Sequence, residues 1–199
     1  MDENKNLQAE NTDSTKKTEE TKKTKKDDGG GIFDWLQCIV SALVLCMLLF
    51  TFAGRMVSVF GPSMEDTLIE GDRLIISNLF YTPKQGDIVV LRKESFMSSA
   101  IIKRVIATEG QTIDIDFDNG IVYVDGVALE EPYIKELTER QWDFKREVTV
   151  PEGCVFVMGD NRNKSTDSRS DSLGFVDTRY ILGKALFRVM PFEKFGGLY

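Results

Sequence analysis

Ile101-Ile102-Lys103-Arg104-Val105-Ile106-Ala107-Thr108 is a β-branched, apolar run broken only by two adjacent cations, and its reading decides the fold. On a strand alternate side chains share a face, so Lys103 points the same way as Ile101, Val105 and Ala107. If that face is core, the ammonium gives up its water. An ordinary lysine, with a pKa near about 10.4, is neutral about 0.04% of the time at pH 7, a handicap of about 4.6 kcal/mol for a base. Burial lowers a lysine's pKa by up to about 3 to 5 units, which removes most of that handicap. The ordinary alternative is a lysine on a solvated face, its stem lying over apolar neighbours.

Around this run the chain repeats one pattern, short β-rich stretches set off by turn residues. They fall at 73–77, 87–92, 112–117, 121–124, 148–150, 154–158 and 180–189, and Asn119-Gly120 between two of them is a hairpin signal. No helical period of comparable quality appears after residue 55, although 131–140 has room for a turn or two. The expected fold is mainly β and antiparallel, barrel-like or two packed sheets, with a small β-ribbon appendage over roughly 111–150.

Towards the N-terminus the composition changes twice. Residues 1–31 are dense in Lys, Glu, Asp, Thr and Asn and end in Gly29-Gly30-Gly31; such a segment buries too little to offset its ordering entropy and reads as a disordered tail with a glycine hinge. Residues 35–54 then supply about 20 mostly apolar residues without a charge, enough as a helix for about 30 Å of hydrocarbon. A cleaved secretory signal has a shorter apolar core, of about 7 to 15 residues. The expectation is a transmembrane helix over 32–55 and one folded domain over 56–199. Lys22, Lys23, Lys25 and Lys26 precede the helix and only Arg55 follows it closely. The tail is therefore expected in the cytoplasm and the domain outside it, on the cell membrane.

Composition narrows the chemistry. Among 199 residues there is no histidine, so the commonest general base is absent and a nucleophilic serine needs another activator. The net charge of -7, with no basic stripe beyond the tail, argues against nucleic acid as a partner. Cys38 and Cys46 lie in the apolar segment and Cys154 stands alone, which gives neither a disulfide framework nor a zinc signature.

Two further segments carry polar groups of interest. Ser63 follows Gly61-Pro62, a pair that makes a fixed, non-helical loop able to present a hydroxyl and leave an amide free for an oxyanion, though serines after proline are usually turn residues. It stands nine positions after Gly54, at most about 30 Å from the end of the apolar segment. The stretch Gly159-Asp160-Asn161-Arg162-Asn163-Lys164-Ser165-Thr166-Asp167-Ser168-Arg169 reads as a solvated loop or as a buried polar network in which Asp167 and Arg169 pair. Its spacing does not suit a calcium loop, since Ser165 and Asp171 fall where glycine and glutamate are needed.

Taken together, these segments resemble bacterial type I signal peptidase, a membrane-bound Ser/Lys protease family that removes signal peptides. The matching blocks run in order: Gly-Pro-Ser-Met-Glu-Asp-Thr-Leu at 61–68, Gly71-Asp72-Arg73, Gly86-Asp87-Ile88-Val89-Val90, Ile102-Lys103-Arg104-Val105-Ile106, Glu131-Pro132-Tyr133, Gly159-Asp160-Asn161-Arg162 and Asp167-Ser168-Arg169. The resemblance implies Ser63 as nucleophile, Lys103 as general base, the Ser63 amide in the oxyanion hole, Ser165 hydrogen-bonded to the lysine, and Asp167 with Arg169 as a supporting pair. It implies that Met64, Leu68 and Ile102 line shallow apolar pockets for small residues of the signal peptide. It implies a monomer without cofactor, whose partners are the signal peptides of exported pre-proteins and the lipid bilayer.

Gram-negative members carry a serine two before the nucleophile that adds an oxyanion donor; that position is Gly61 here, as in many Gram-positive members. Two departures stand out. Asp66 replaces the proline usual in the family, losing a fixed backbone angle and adding a charge. Four residues separate Arg169 from Gly174, more than in many members. Two rivals follow: a catalytically silent, membrane-tethered binding homologue, and a self-cleaving regulator of the LexA kind, for which the expected N-terminal DNA-binding domain is missing.

Overall fold

The computed structural model describes residues 29–52 and 54–198. The apolar segment forms helix α1, Gly29–Phe52. Its glycines, expected as a hinge, make the first turn, because each residue added to an existing helix gains a bond without the cost of nucleation. Among the described residues no helix is long and apolar enough to cross a membrane. The side chains at 48–53, which belong to the expected span, and the expected tail at 1–28 lie outside the described residues.

Beyond the helix the chain is antiparallel β. The strands are β1 Arg55–Ser58, β2 Arg73–Ser77, β3 Ile88–Leu91, β4 Ile101–Thr108, β5 Thr112–Asp116, β6 Ile121–Val124, β7 Val127–Ala128, β8 Val148–Thr149, β9 Cys154–Met158, β10 Val176–Asp177, β11 Ile181–Met190 and β12 Gly196–Gly197. The larger sheet runs β1-β2-β11-β3-β4-β9-β10, with β12 on β11, and the smaller runs β7-β6-β5-β8. Eight of these strands stand where the sequence pattern put them. The two-residue strands β7, β10 and β12 carry no alternation of their own and exist by pairing with β6, β9 and β11. No helix forms at 131–140; that stretch is a series of turns held by side-chain bonds described below.

Strand β4 is the axis of the larger sheet. It pairs with β3 on one side and β9 on the other, and its six central residues are all buried. Ile101 and Val105 join a core with Val89, Leu91, Val157 and Leu173. Ile102 joins a second with Met64, Leu68, Leu74, Ile88 and Val90. Ala107, expected to share the face of Lys103, packs instead with Ile106, Ile113, Val122 and Phe156, because the register against β9 shifts between Val105 and Ala107. With apolar cores on both faces, either orientation would bury a β4 side chain. At about 1.5–3 kcal/mol for each large apolar residue removed from water, these cores hold β4, and Lys103 with it, in place.

Candidate active site

Ser63 sits on a turn pinned by its apolar neighbours. Met64 and Leu68 are buried, and Leu68 N–H donates to the Met64 carbonyl at 2.8 Å, so the turn leaves the second core with Ser63 on its outer side. Gly61 enters it at φ +76°, a left-handed conformation that costs a side-chain-bearing residue about 1–2 kcal/mol. The Ser63 N–H has no acceptor among the described residues.

Lys103 reaches this turn from β4. Its Nζ lies 2.9 Å from Ser63 Oγ and 3.2 Å from the Ile102 carbonyl. The lysine is 4% exposed. Desolvation lowers its pKa from 10.5 to about 8; the carboxylates of Asp167 and Asp160 pull it back up, and Arg169 pushes it down. A hydroxyl in hydrogen-bond contact with an amine that loses its proton near neutrality is an arrangement suited to nucleophilic catalysis.

The turn is clamped by the segment after β9. Asn161 N–H donates to the Ser63 carbonyl at 3.0 Å, and its Nδ2 donates to the Pro62 carbonyl at 3.0 Å. Gly159 permits this approach: a Cβ there would stand 2.4 Å from the Ser63 carbonyl oxygen and 2.3 Å from Ser165 Oγ. Asp160, wholly buried, accepts two bonds from Arg104, at 2.8 and 2.6 Å, and one from Thr67 Oγ1 at 2.6 Å. One carboxylate thus joins β4 to the far end of the Ser63 turn.

Asp167 and Arg169 pair, with both side chains buried and Arg169 Nε 2.9 Å from Asp167 Oδ1. Burial opposes the charge on Asp167, but the Arg169 guanidinium and the Gly159 N–H outweigh it and hold the carboxyl below its usual range. Arg169 also donates to the Arg140 and Arg162 carbonyls at 2.7 and 2.6 Å. Ser165 differs from expectation. Its buried Oγ makes no hydrogen bond of normal length, to Lys103 or to any other described residue. It stands near enough to Asp167 to help keep that carboxylate ionised. Lys103 turns to Ser63 and to its own neighbour's carbonyl instead.

A cleft of about 220 Å³ opens at Ser63 and Lys103, walled by Phe60, Met97, Ala100, Ile101 and Ile102, with Thr166 also lining it. Of the three residues expected to bind substrate, Ile102 lines the cleft, while Met64 and Leu68 lie in the core beside it. Asp66 is 77% exposed on its side chain and 3.6 Å from Lys135 Nζ, which also contacts Glu65 at 3.2 Å.

Sequence reasoning gave no site role to Arg104, Asp160, Asn161 or Arg162. The signal was present in β4: a second cation beside Lys103 in an apolar strand requires a carboxylate brought from elsewhere. Arg162 has the same need, met by Glu131 of the 131–140 segment, and Arg104 also stacks 3.9 Å over the Tyr133 ring.

Comparison with known proteins identifies the family. Residues 32–190 match the family described as signal peptidase, peptidase S26. The chain is 42% identical over 173 residues to a probable signal peptidase I-1 of Synechocystis sp., covering 82% of this chain and 85% of the relative. It is 35% identical over 174 residues to signal peptidase I of Bacillus licheniformis, covering 82% and 91%. A crystal structure of a signal peptidase I from Enterococcus faecalis is 29% identical, with a TM-score of 0.45, covering 52% of this chain and 97% of that one. The chain belongs to the signal peptidase I family, peptidase S26, serine endopeptidases that remove signal peptides.

Proposed function

We propose that Ser63 is the nucleophile and Lys103 the general base of this peptidase. The observation that carries the reading is the 2.9 Å contact between Ser63 Oγ and an amine whose burial brings its pKa to about 8. Neutral Lys103 takes the Ser63 proton as Oγ attacks the carbonyl after a small residue of the signal peptide. The free Ser63 N–H meets the developing oxyanion, Lys103 returns the proton to the leaving amine, and water hydrolyses the acyl-enzyme. Ile102 forms part of the wall for the small residue, with Met64 and Leu68 supporting it from the core, and Ser165, Asp167 and Arg169 form a buried supporting network whose charges act on the lysine.

The enzyme works at the membrane, as a monomer held by α1 with its tail in the cytoplasm and its β body outside. The apolar run at 35–54 supports this, as do the large exposed apolar side chains of α1 and the lysines that precede it. Its partners are pre-proteins and the bilayer.

The test is cleavage of a pre-protein bearing Ala-x-Ala by the detergent-solubilised full chain, with products read by mass spectrometry. Cleavage after the second alanine should vanish in Ser63→Ala and Lys103→Ala. Processing by either variant at the wild-type rate would refute the assignment.

A further inference from the structure

Peptide hydrolysis through an acyl-enzyme needs a water after the leaving amine has gone, and most of the cleft is a poor place to hold one. Phe60, Met97, Ala100, Ile101 and Ile102 offer apolar side chains, whereas an ordered water needs two or more polar partners. Once Ser63 Oγ is esterified it has no proton to exchange with Lys103, so the lysine supplies one such partner. The other hydroxyl-bearing residues that line the cleft are Ser58, Ser99 and Thr166. Ser58 and Ser99 are exposed, and Thr166 is half-buried.

Thr166 also stands on firmly held backbone. Its neighbours Ser165 and Asp167 are wholly buried. Trp142 Nε1 donates to the Ser165 carbonyl at 2.9 Å, Asp167 is paired with Arg169, and Ser168 exchanges two 3.0 Å bonds with Val157. Threonine is stiff at χ1, so little freedom remains to its hydroxyl. That hydroxyl has no hydrogen-bond partner among the described residues.

We propose that Thr166 is a further catalytic residue, whose hydroxyl holds, together with Lys103, the water that hydrolyses the acyl-enzyme. The proposal rests on Ser63 and Lys103 acting as nucleophile and base. In this step the water oxygen bonds to the acyl carbon while one of its protons passes to Lys103 Nζ. The tetrahedral adduct collapses, the bond from carbon to Ser63 Oγ breaks, and Oγ takes the proton from Lys103. Thr166 orients the water and exchanges no proton.

The experiment uses the full chain in detergent with an activated ester of an acylated alanine, for which acylation outruns deacylation, and follows the decay of the Ser63 adduct by mass spectrometry. Thr166→Val keeps the shape and removes the hydroxyl, and should slow the decay about tenfold while leaving the acylation rate unchanged. Thr166→Ser restores the hydroxyl without the methyl and should decay at close to the wild-type rate. Wild-type decay in Thr166→Val overturns the proposal, and so does a larger defect in Thr166→Ser than in Thr166→Val, which would make Thr166 a wall residue only. Failure of the underlying assignment looks different: no adduct forms on Ser63 in the wild type, or Lys103→Ala acylates normally.

Discussion

The backbone N–H of Asn161 donates to the carbonyl of Ser63 at 3.0 Å across 98 residues of chain, and the Asn161 side chain repeats the bond one residue earlier, at Pro62. The loop after β9 therefore sets where the Ser63 hydroxyl stands relative to Lys103, although neither Asn161 group touches that hydroxyl.

Asn161→Ala removes the side-chain half of this clamp and leaves the Pro62 carbonyl only the 3.2 Å bond from the Glu65 N–H, which lies within the turn itself. The expected outcome is a fall in kcat of about tenfold with KM nearly unchanged, since the turn is misplaced while the cleft wall is intact. Steady-state kinetics on a signal-peptide substrate decide it. A change confined to KM would show that Asn161 serves binding instead.

Lys103 makes two pH predictions with one cause. Because the neutral amine is the base, activity should rise with pH through a midpoint near 8. Stability follows from the same depressed value. Below pH 8 the amine is protonated both folded and unfolded, and burial of the charge costs the folded state about 3 kcal/mol; this penalty fades as pH rises from about 8 to 10.5. Lys103→Met should accordingly be more stable than wild type at pH 7 in urea, with the difference shrinking towards pH 10. A difference that stays the same at both pH values would contradict burial as the cause.

Arg104 and Asp160 form a pair with almost no exposure, 1% and 0% on their side chains. Removing one partner strands the other charge, so Arg104→Met should destabilise the protein by about 3–5 kcal/mol. The double variant Arg104→Met, Asp160→Leu should lose less than Arg104→Met alone. Chemical denaturation of the four proteins of the cycle measures this. Additive losses would mean the two charges do not depend on each other.

Asp66 brings a charge to the Ser63 turn, and Lys135 meets it together with Glu65; the two carboxylates raise the lysine's pKa. These groups are solvated, so the contact should matter little and be screened. Lys135→Met should lower kcat by less than about threefold in low salt, and by nothing measurable at about 1 M salt. A larger loss that persists at high salt would assign the lysine a role other than this ionic contact.

Strand existence was legible because a residue's alternation between core and solvent is written in neighbouring positions. The run at 101–108 and the hairpin at Asn119-Gly120 needed nothing from the rest of the chain. The segment at 131–140 has room for a helical turn or two by its sequence. Its form is instead set by Glu131 bonding Arg162 and by Asn163 accepting from the Glu139 and Arg140 N–H groups, contacts 20 or more residues away. Ser165 was expected on the lysine through the resemblance, and the position of its hydroxyl depends on a rotamer that no local pattern encodes.

By itself the sequence determined an antiparallel β body, an apolar segment before it, a serine without a histidine, and a lysine in a strand whose flanks ask to be buried. Tertiary structure alone decided that Lys103 meets Ser63, that Asp160 answers Arg104, and that Thr166 faces the same cleft. Periodicity and composition are local properties, written in adjacent residues. The proximity of groups 40 to 100 positions apart, and the loss of water that lowers the pKa of Lys103, arise only when separate segments share one core.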